Sequence, residues 1–168
     1  EARVPSLKVR SMPPTSASGP DEAKGAAPMA LILGLESSCD DSAAALVTSD
    51  RQVLAQVVVG QNDAHRPFGG VVPEIAARAH VEILPSLIRS VLDDARLTIS
   101  DIDAVAATAG PGLLGGVMVA LLAGHGIALA AGKPLVAVNH LEGHALSPRL
   151  VDPALGFPYG LLRAAGGP

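Results

Sequence analysis

The sequence predicts an α/β domain in which a β-meander is followed by α/β crossover units. Three observations carry this. Three short apolar runs follow one another across tight polar turns, and from Pro73 to Ala95 apolar residues recur every four positions. Beyond that stretch, apolar strand-like runs alternate with longer helical ones.

The meander is read from LILGLE (Leu31–Glu36), AAALVTS (Ala43–Ser49) and VLAQVVVG (Val53–Gly60). Sequential strands joined by tight turns pair antiparallel. Ile75, Ala79, Ile83, Leu87, Val91 and Ala95 then define one helical stripe, with Pro73 near its start and Pro85 expected to kink or split it. IDAVAATAG (Ile102–Gly110) reads as a buried strand, Leu113–Ala131 as a helix, and LVAVN (Leu135–Asn139) as a strand running into VNHLEGHALSP. Strands and helices in the order β-β-β-α-β-α-β-α match, as a fold-level analogy, the ribonuclease-H-like core of the actin-like ATPase lobe.

Leu113–Ala131 is long enough to span a membrane and holds only His125 as a polar residue. Its glycines, and the absence of an aromatic belt or of a Lys/Arg asymmetry, favour a helix buried on all sides of a soluble α/β domain, so no membrane partner is expected. Residues 1–28, rich in Pro, Ser, Gly and Ala without apolar periodicity, are expected to form a disordered leader before a lobe spanning 29–168. Met29 is the expected natural start; a mitochondrial transit peptide is the alternative reading of the leader.

The 168 residues carry a net charge of −4, which excludes an overall basic field for nucleic acid, so any such contact is local or supplied by a partner. With 2% aromatics, a stacking platform for single-stranded bases cannot be assembled. The single cysteine, Cys39, excludes an internal disulfide and fits a reducing, cytoplasmic setting.

Three segments carry candidate chemistry. GLESSCDDSAAAL (Gly34–Leu46) puts Glu36 at a strand end, followed by Ser38, Asp40 and Asp41 in a turn. Carboxylates there can hold a hydrated cation while small side chains admit a phosphate, and an exposed turn is the alternative. ATAGPGLLGG (Ala107–Gly116), with Gly110 and Gly112, is a glycine-rich turn into a helix, either offering N–H groups to an anion or simply turning tightly. It fits neither the Walker spacing nor the dinucleotide fingerprint.

In VNHLEGHALSP, His140 and His144 stand one helical turn apart, so both imidazoles project from one face and can bind one cation; packed or solvated histidines are the other reading. Asn139 is placed to cap that helix. Glu142, two residues after His140, is rotated about half a turn away, which argues against a zincin-type protease. His65, His80 and His125 lack partners at ligand spacing and read as structural. Cys39, beside Asp40 and Asp41, has a disfavoured thiolate and is a poor nucleophile.

Together with HRPFGGVVPEIAARAH (His65–His80), these motifs resemble the tRNA N6-threonylcarbamoyladenosine synthase family, the transferase once called O-sialoglycoprotein endopeptidase, over roughly Ile32–Pro158. The resemblance implies a two-lobed actin-like ATPase fold. His140 and His144 would be ligands of a divalent metal, iron first and zinc as the alternative, with an aspartate from the second lobe as third ligand. It implies transfer of a threonylcarbamoyl group from threonylcarbamoyl-adenylate to N6 of adenosine 37 in tRNAs reading codons that begin with A. Glu36, Ser38, Asp40, Asp41, Gly110 and Gly112 would line the nucleotide side. A noncatalytic paralogue, an ATPase subunit and an adenylate-forming enzyme would be partners.

The family pattern continues after a Phe-Pro segment into a strand ending S-G-G-H-T that contacts the substrate, which would add Gly166 and Gly167 to the nucleotide and substrate side. Here Gly166 and Gly167 fall on the two glycines, Ala165 and Pro168 replace the serine and histidine, and Arg163 interrupts the strand. The expectation is therefore a partial enzyme, its N-terminal lobe without the second. The competing readings are a noncatalytic scaffold paralogue and an actin-like kinase or ATPase lobe; the histidine pair speaks against both.

Overall fold

The computed structural model describes residues 29–152 and 154–162. The leader expected at 1–28 lies outside the described residues, as do Gly166 and Gly167.

Strands β1 (Leu31–Glu36), β2 (Asp41–Thr48) and β3 (Val53–Gly60) form the expected antiparallel meander. β4 (Ala104–Gly110) and β5 (Leu135–Asn139) add parallel to the other side, giving one sheet in the order β3-β2-β1-β4-β5. The short helix α1 (Asn62–His65) and a 3-10 turn lead to the long helix α2 (Pro73–Ala95). α3 (Leu114–Ala131) links β4 to β5, and α4 (His140–Leu146) and α5 (Pro148–Val151) follow β5.

The sequence periodicity explains these elements. Alternation in β2 sends Ser42, Ala44, Leu46 and Thr48 inward. α2 packs against β2 and β3, and α3 against β4 and β1, so both helices cover one face of the sheet and touch each other. Leu33, Leu46, Leu84, Leu87, Ile102 and Val105 are fully buried between these layers. Each such side chain contributes about 1.5–3 kcal/mol of burial.

Two expectations change. Of the kink or split expected at Pro85, the split does not occur: α2 runs as one helix through it. Proline removes a hydrogen bond and costs about 3 kcal/mol in a helix interior. Leu84, Leu87 and Val91, buried at both sides of it, anchor the helix against the sheet and offset that loss. Among the described residues α3 is the helix long and apolar enough to cross a membrane, but it is not buried on all sides. Gly116, Val117, Ala120, Gly124 and Ala128 face the sheet, while Leu114, Met118, Leu122 and Leu129 are exposed. The reason is topological: among the described residues no element packs on the outer side of α3.

Boundaries moved little. The second strand opens at Asp41 rather than Ala43, because Asp41 pairs with Gly60, and the fourth opens at Ala104 rather than Ile102.

Candidate metal and nucleotide site

β1, β4 and β5 run parallel, so their carboxyl ends lie together, and α/β sheets bind ligands at such an edge. Glu36 ends β1, Thr108 and Gly110 end β4, and Asn139 ends β5. A shift in the β4–β5 register between Thr108 and Gly110 marks the same edge. There Glu36, Thr108, Val138, His140, Gly143 and His144 line a cleft of about 160 Å³.

Asn139 caps α4 as anticipated, its side-chain oxygen accepting from the N–H groups of Leu141 at 2.9 Å and Glu142 at 3.2 Å. The cap fixes the first turn of α4, so both histidines project into the cleft. His140 Nε2 and His144 Nε2 are 3.1 Å apart, with the rings edge to face at 86°. Glu142 does not line the cleft, as its position two residues on from His140 requires.

His140 is oriented from behind. Its Nδ1 lies 2.9 Å from Ser38 Oγ and 3.3 Å from Glu36 Oε2. A carboxylate only accepts, so Nδ1 carries the hydrogen; in the neutral ring Nε2 then accepts the 3.1 Å hydrogen bond from His144 Nε2–H, and a bound ion would take both lone pairs in place of that hydrogen. Burial alone raises the Glu36 carboxyl, but donors from Ser38, Thr108 and His140 outweigh it and hold the group below its ordinary range. The Ser38 N–H donates to Glu36 Oε1 at 2.5 Å, and the Thr108 hydroxyl donates to Oε2. Glu36 thus stays ionised beside the imidazole.

The pair suits a divalent ion. Two nitrogens each bound at about 2.0–2.1 Å to one ion stand about 2.8–3.4 Å apart at octahedral to tetrahedral angles. The observed 3.1 Å falls in that range. Among the described residues no group of three or more His, Cys, Asp or Glu is placed to hold a metal, so the pair supplies two donors.

The glycine turn meets the acidic hairpin directly. The Leu113 N–H donates to the Ser38 carbonyl at 2.8 Å, so this N–H serves the fold rather than an anion. A Cβ on Gly112 would lie 2.5 Å from that same carbonyl oxygen, and one on Gly116 would lie 2.4 Å from the Ser37 oxygen. Gly110 has φ of +133°, open to glycine and strained for other residues.

Ser37 ties the hairpin to α3, its hydroxyl donating to the Gly116 carbonyl at 2.7 Å and accepting from the Ala120 N–H at 2.9 Å. Ser38, Gly110 and Gly112 are therefore gathered at one edge with the histidines. Asp40 and Asp41 are not among the residues lining the cleft; Asp40 closes the turn after Ser38 and Asp41 opens β2. Asp41 is raised by burial and then by the negative charges of Asp40 and Glu36. Burial, followed by Asp40, likewise raises the Cys39 thiol, in line with its poor prospects as a nucleophile.

Sequence reasoning missed Thr108, a lone hydroxyl at a strand end with no periodic signature. It also missed the pairing of Ser38 with His140. His65 and His80 are buried and hydrogen-bonded within the fold, as expected of structural histidines, whereas His125 sits exposed on α3.

The fold and the edge define the class: a ribonuclease-H-like, actin-like α/β lobe with a carboxylate-backed histidine pair at the ends of its parallel strands. Residues 52–167 match the family described as TsaD, tRNA N6-adenosine threonylcarbamoyltransferase, and the chain belongs to that family. The proteins of that name from Sphingopyxis alaskensis and Erythrobacter litoralis are 69% and 61% identical to it, each alignment covering 83% of this chain. The chain spans about 40% of the length of these curated relatives. Among solved structures, YeaZ from Pseudomonas aeruginosa superposes with a TM-score of 0.57 at 28% identity, covering 72% of this chain and 49% of that one.

Proposed function

We propose that this chain forms the metal-holding lobe of a transferase that moves a threonylcarbamoyl group from threonylcarbamoyl-adenylate to N6 of adenosine 37 in tRNAs reading codons that begin with A. The observation that carries the reading is the 3.1 Å convergence of His140 and His144 at the strand edge of a chain of this family. The pair would hold one divalent ion, iron first and zinc as the alternative, with a further donor from outside the described residues. Such an ion, when bound, would polarise the acyl carbonyl of the mixed anhydride.

The chain's own residues do the rest. Glu36 fixes the His140 tautomer and ring direction, which favours ligation through Nε2. Ser38 and Thr108 keep Glu36 ionised, and Asp40 and Asp41 add negative field at the cation side. Gly110, with open space at its Cβ position, leaves room beside the turn for an adenylate, while Gly112 lets the turn close on the Ser38 carbonyl.

Partners follow from what the lobe lacks. Its charge of −4 and scarcity of aromatics leave tRNA binding to be shared with other subunits. A noncatalytic paralogue, an ATPase subunit and the adenylate-forming enzyme are the proposed set. An apolar groove of about 570 Å³ between α2 and α3, lined by Val81, Pro85, Met118 and Leu122 among others, is a surface on which the paralogue would bury area. The test is tRNA threonylcarbamoylation in vitro by the full-length protein with its partners: His140→Ala and His144→Ala should each abolish product, and retained activity in both would refute the assignment.

A further inference from the structure

The segment His65–His80 is not absorbed by the site, yet it contains two buried histidines. His80 is fully buried and His65 nearly so. His80 Nε2 lies 3.1 Å from the backbone carbonyl of Cys39, and its Nδ1 lies 2.7 Å from Ser42 Oγ and 3.1 Å from Gln61 Nε2.

These partners fix the hydrogens. A carbonyl only accepts, so His80 Nε2 carries the hydrogen and Nδ1 accepts from Ser42 and Gln61. The Gln61 oxygen then accepts from His65 Nε2 at 3.1 Å, and His65 Nδ1 accepts from the Val72 N–H at 3.3 Å. The chain of bonds has one direction, from the entry of α2 through Gln61 to the carbonyl of Cys39. Cys39 is the residue after Ser38, whose hydroxyl, amide and carbonyl meet His140, Glu36 and Leu113. Gly116 packs beside this turn: a Cβ there would only touch the His80 ring at 3.5 Å, but would collide with the Ser37 carbonyl oxygen at 2.4 Å.

We propose that His80, locked as the neutral Nε2–H tautomer by Gln61 and Ser42, is a positioning residue for the site. It holds the Cys39 carbonyl, and through that turn sets Ser38 and Glu36 against His140. The proposal rests on the reading above only in what the relay serves, not in the relay itself.

The test compares His80→Gln, His80→Asn and His80→Ala in the full-length protein. A glutamine amide nitrogen reaches the place of Nε2 and can donate to Cys39; an asparagine amide stops at the level of Nδ1. Two readouts are taken: the nitrogen resonances of His140 in histidine-labelled protein, and cobalt(II) affinity as the probe of the histidine pair. The Ala and Asn variants should shift the His140 resonances and weaken cobalt binding by about tenfold, the lower end for residues behind a metal ligand, with Gln restoring both. Equal behaviour of Gln and Ala, or an unmoved His140 signal in Ala, overturns the proposal.

Should the Ala variant not fold, the wild-type nitrogen spectrum decides. A neutral Nε2–H His80 upholds the relay, and an Nδ1–H or doubly protonated ring overturns it. If wild-type protein binds no cobalt, the metal reading fails while the His140 resonances still judge the relay.

Discussion

The hydroxyl of Ser38 and Nδ1 of His140 stand 2.9 Å apart across 102 positions of sequence. This contact joins the hairpin after the first strand to the helix after the last, and it explains why neither motif forms the site alone. Glu36 reinforces it from the same side, so the histidine that faces the cleft is aimed by the hairpin. Several measurable consequences result.

Replacing the carboxylate while keeping its shape should loosen His140 without unfolding the lobe. Glu36→Gln is expected to weaken divalent metal binding by roughly 10–100-fold, as is usual for groups behind a metal-ligating histidine. Cobalt(II) titration of the full-length protein checks this, with circular dichroism unchanged.

The contact between the glycine turn and the hairpin leaves no room for a methyl group. Gly112→Ala and Gly116→Ala place a Cβ 2.5 Å and 2.4 Å from backbone oxygens, which cannot swing away as a side chain would. Each should cost about 1–3 kcal/mol, the range for overpacking, read from urea unfolding. Gly126→Ala, with nothing within 4 Å of the added carbon, should cost nothing by this mechanism and serves as the control.

Asp41 gives a pH signature. Its carboxyl is raised above the ordinary 3.8 by burial and by the charges of Asp40 and Glu36, so the folded state favours the protonated form. The group therefore costs stability once pH rises through 3.8 and its folded value, and costs none below both. Asp41→Asn should raise the melting temperature at pH 7, and the gain should vanish toward pH 3. A gain equal at both pH values would contradict the assignment.

The two faces of the helical layer should respond oppositely to truncation. Leu87→Ala, at 0% exposure, is expected to cost about 2–5 kcal/mol, while Leu122→Ala, at 58%, should stay within about 0.5 kcal/mol. Chemical denaturation of both variants distinguishes them.

Much of this was legible in the sequence because periodicity reports burial. Leu31–Glu36, Val53–Gly60, Pro73–Ala95 and Leu135–Asn139 fall where the apolar pattern put them. The spacing of His140 and His144, with Asn139 ahead of them, carried enough local geometry to place both rings on one face. What the sequence hid were contacts between segments far apart in the chain: Thr108 to Glu36 and Ser38 to His140, separated by 72 and 102 positions. The outer face of α3 was misread because composition counts apolar residues without saying how many layers there are to cover them.

The central claim is that His140 and His144 share one ion. Metal content of the purified full-length protein, measured by mass spectrometry for wild type, His140→Ala and His144→Ala, tests it most directly. One equivalent of iron or zinc per chain, lost in either variant, is the predicted result; metal content unchanged by both substitutions would contradict it.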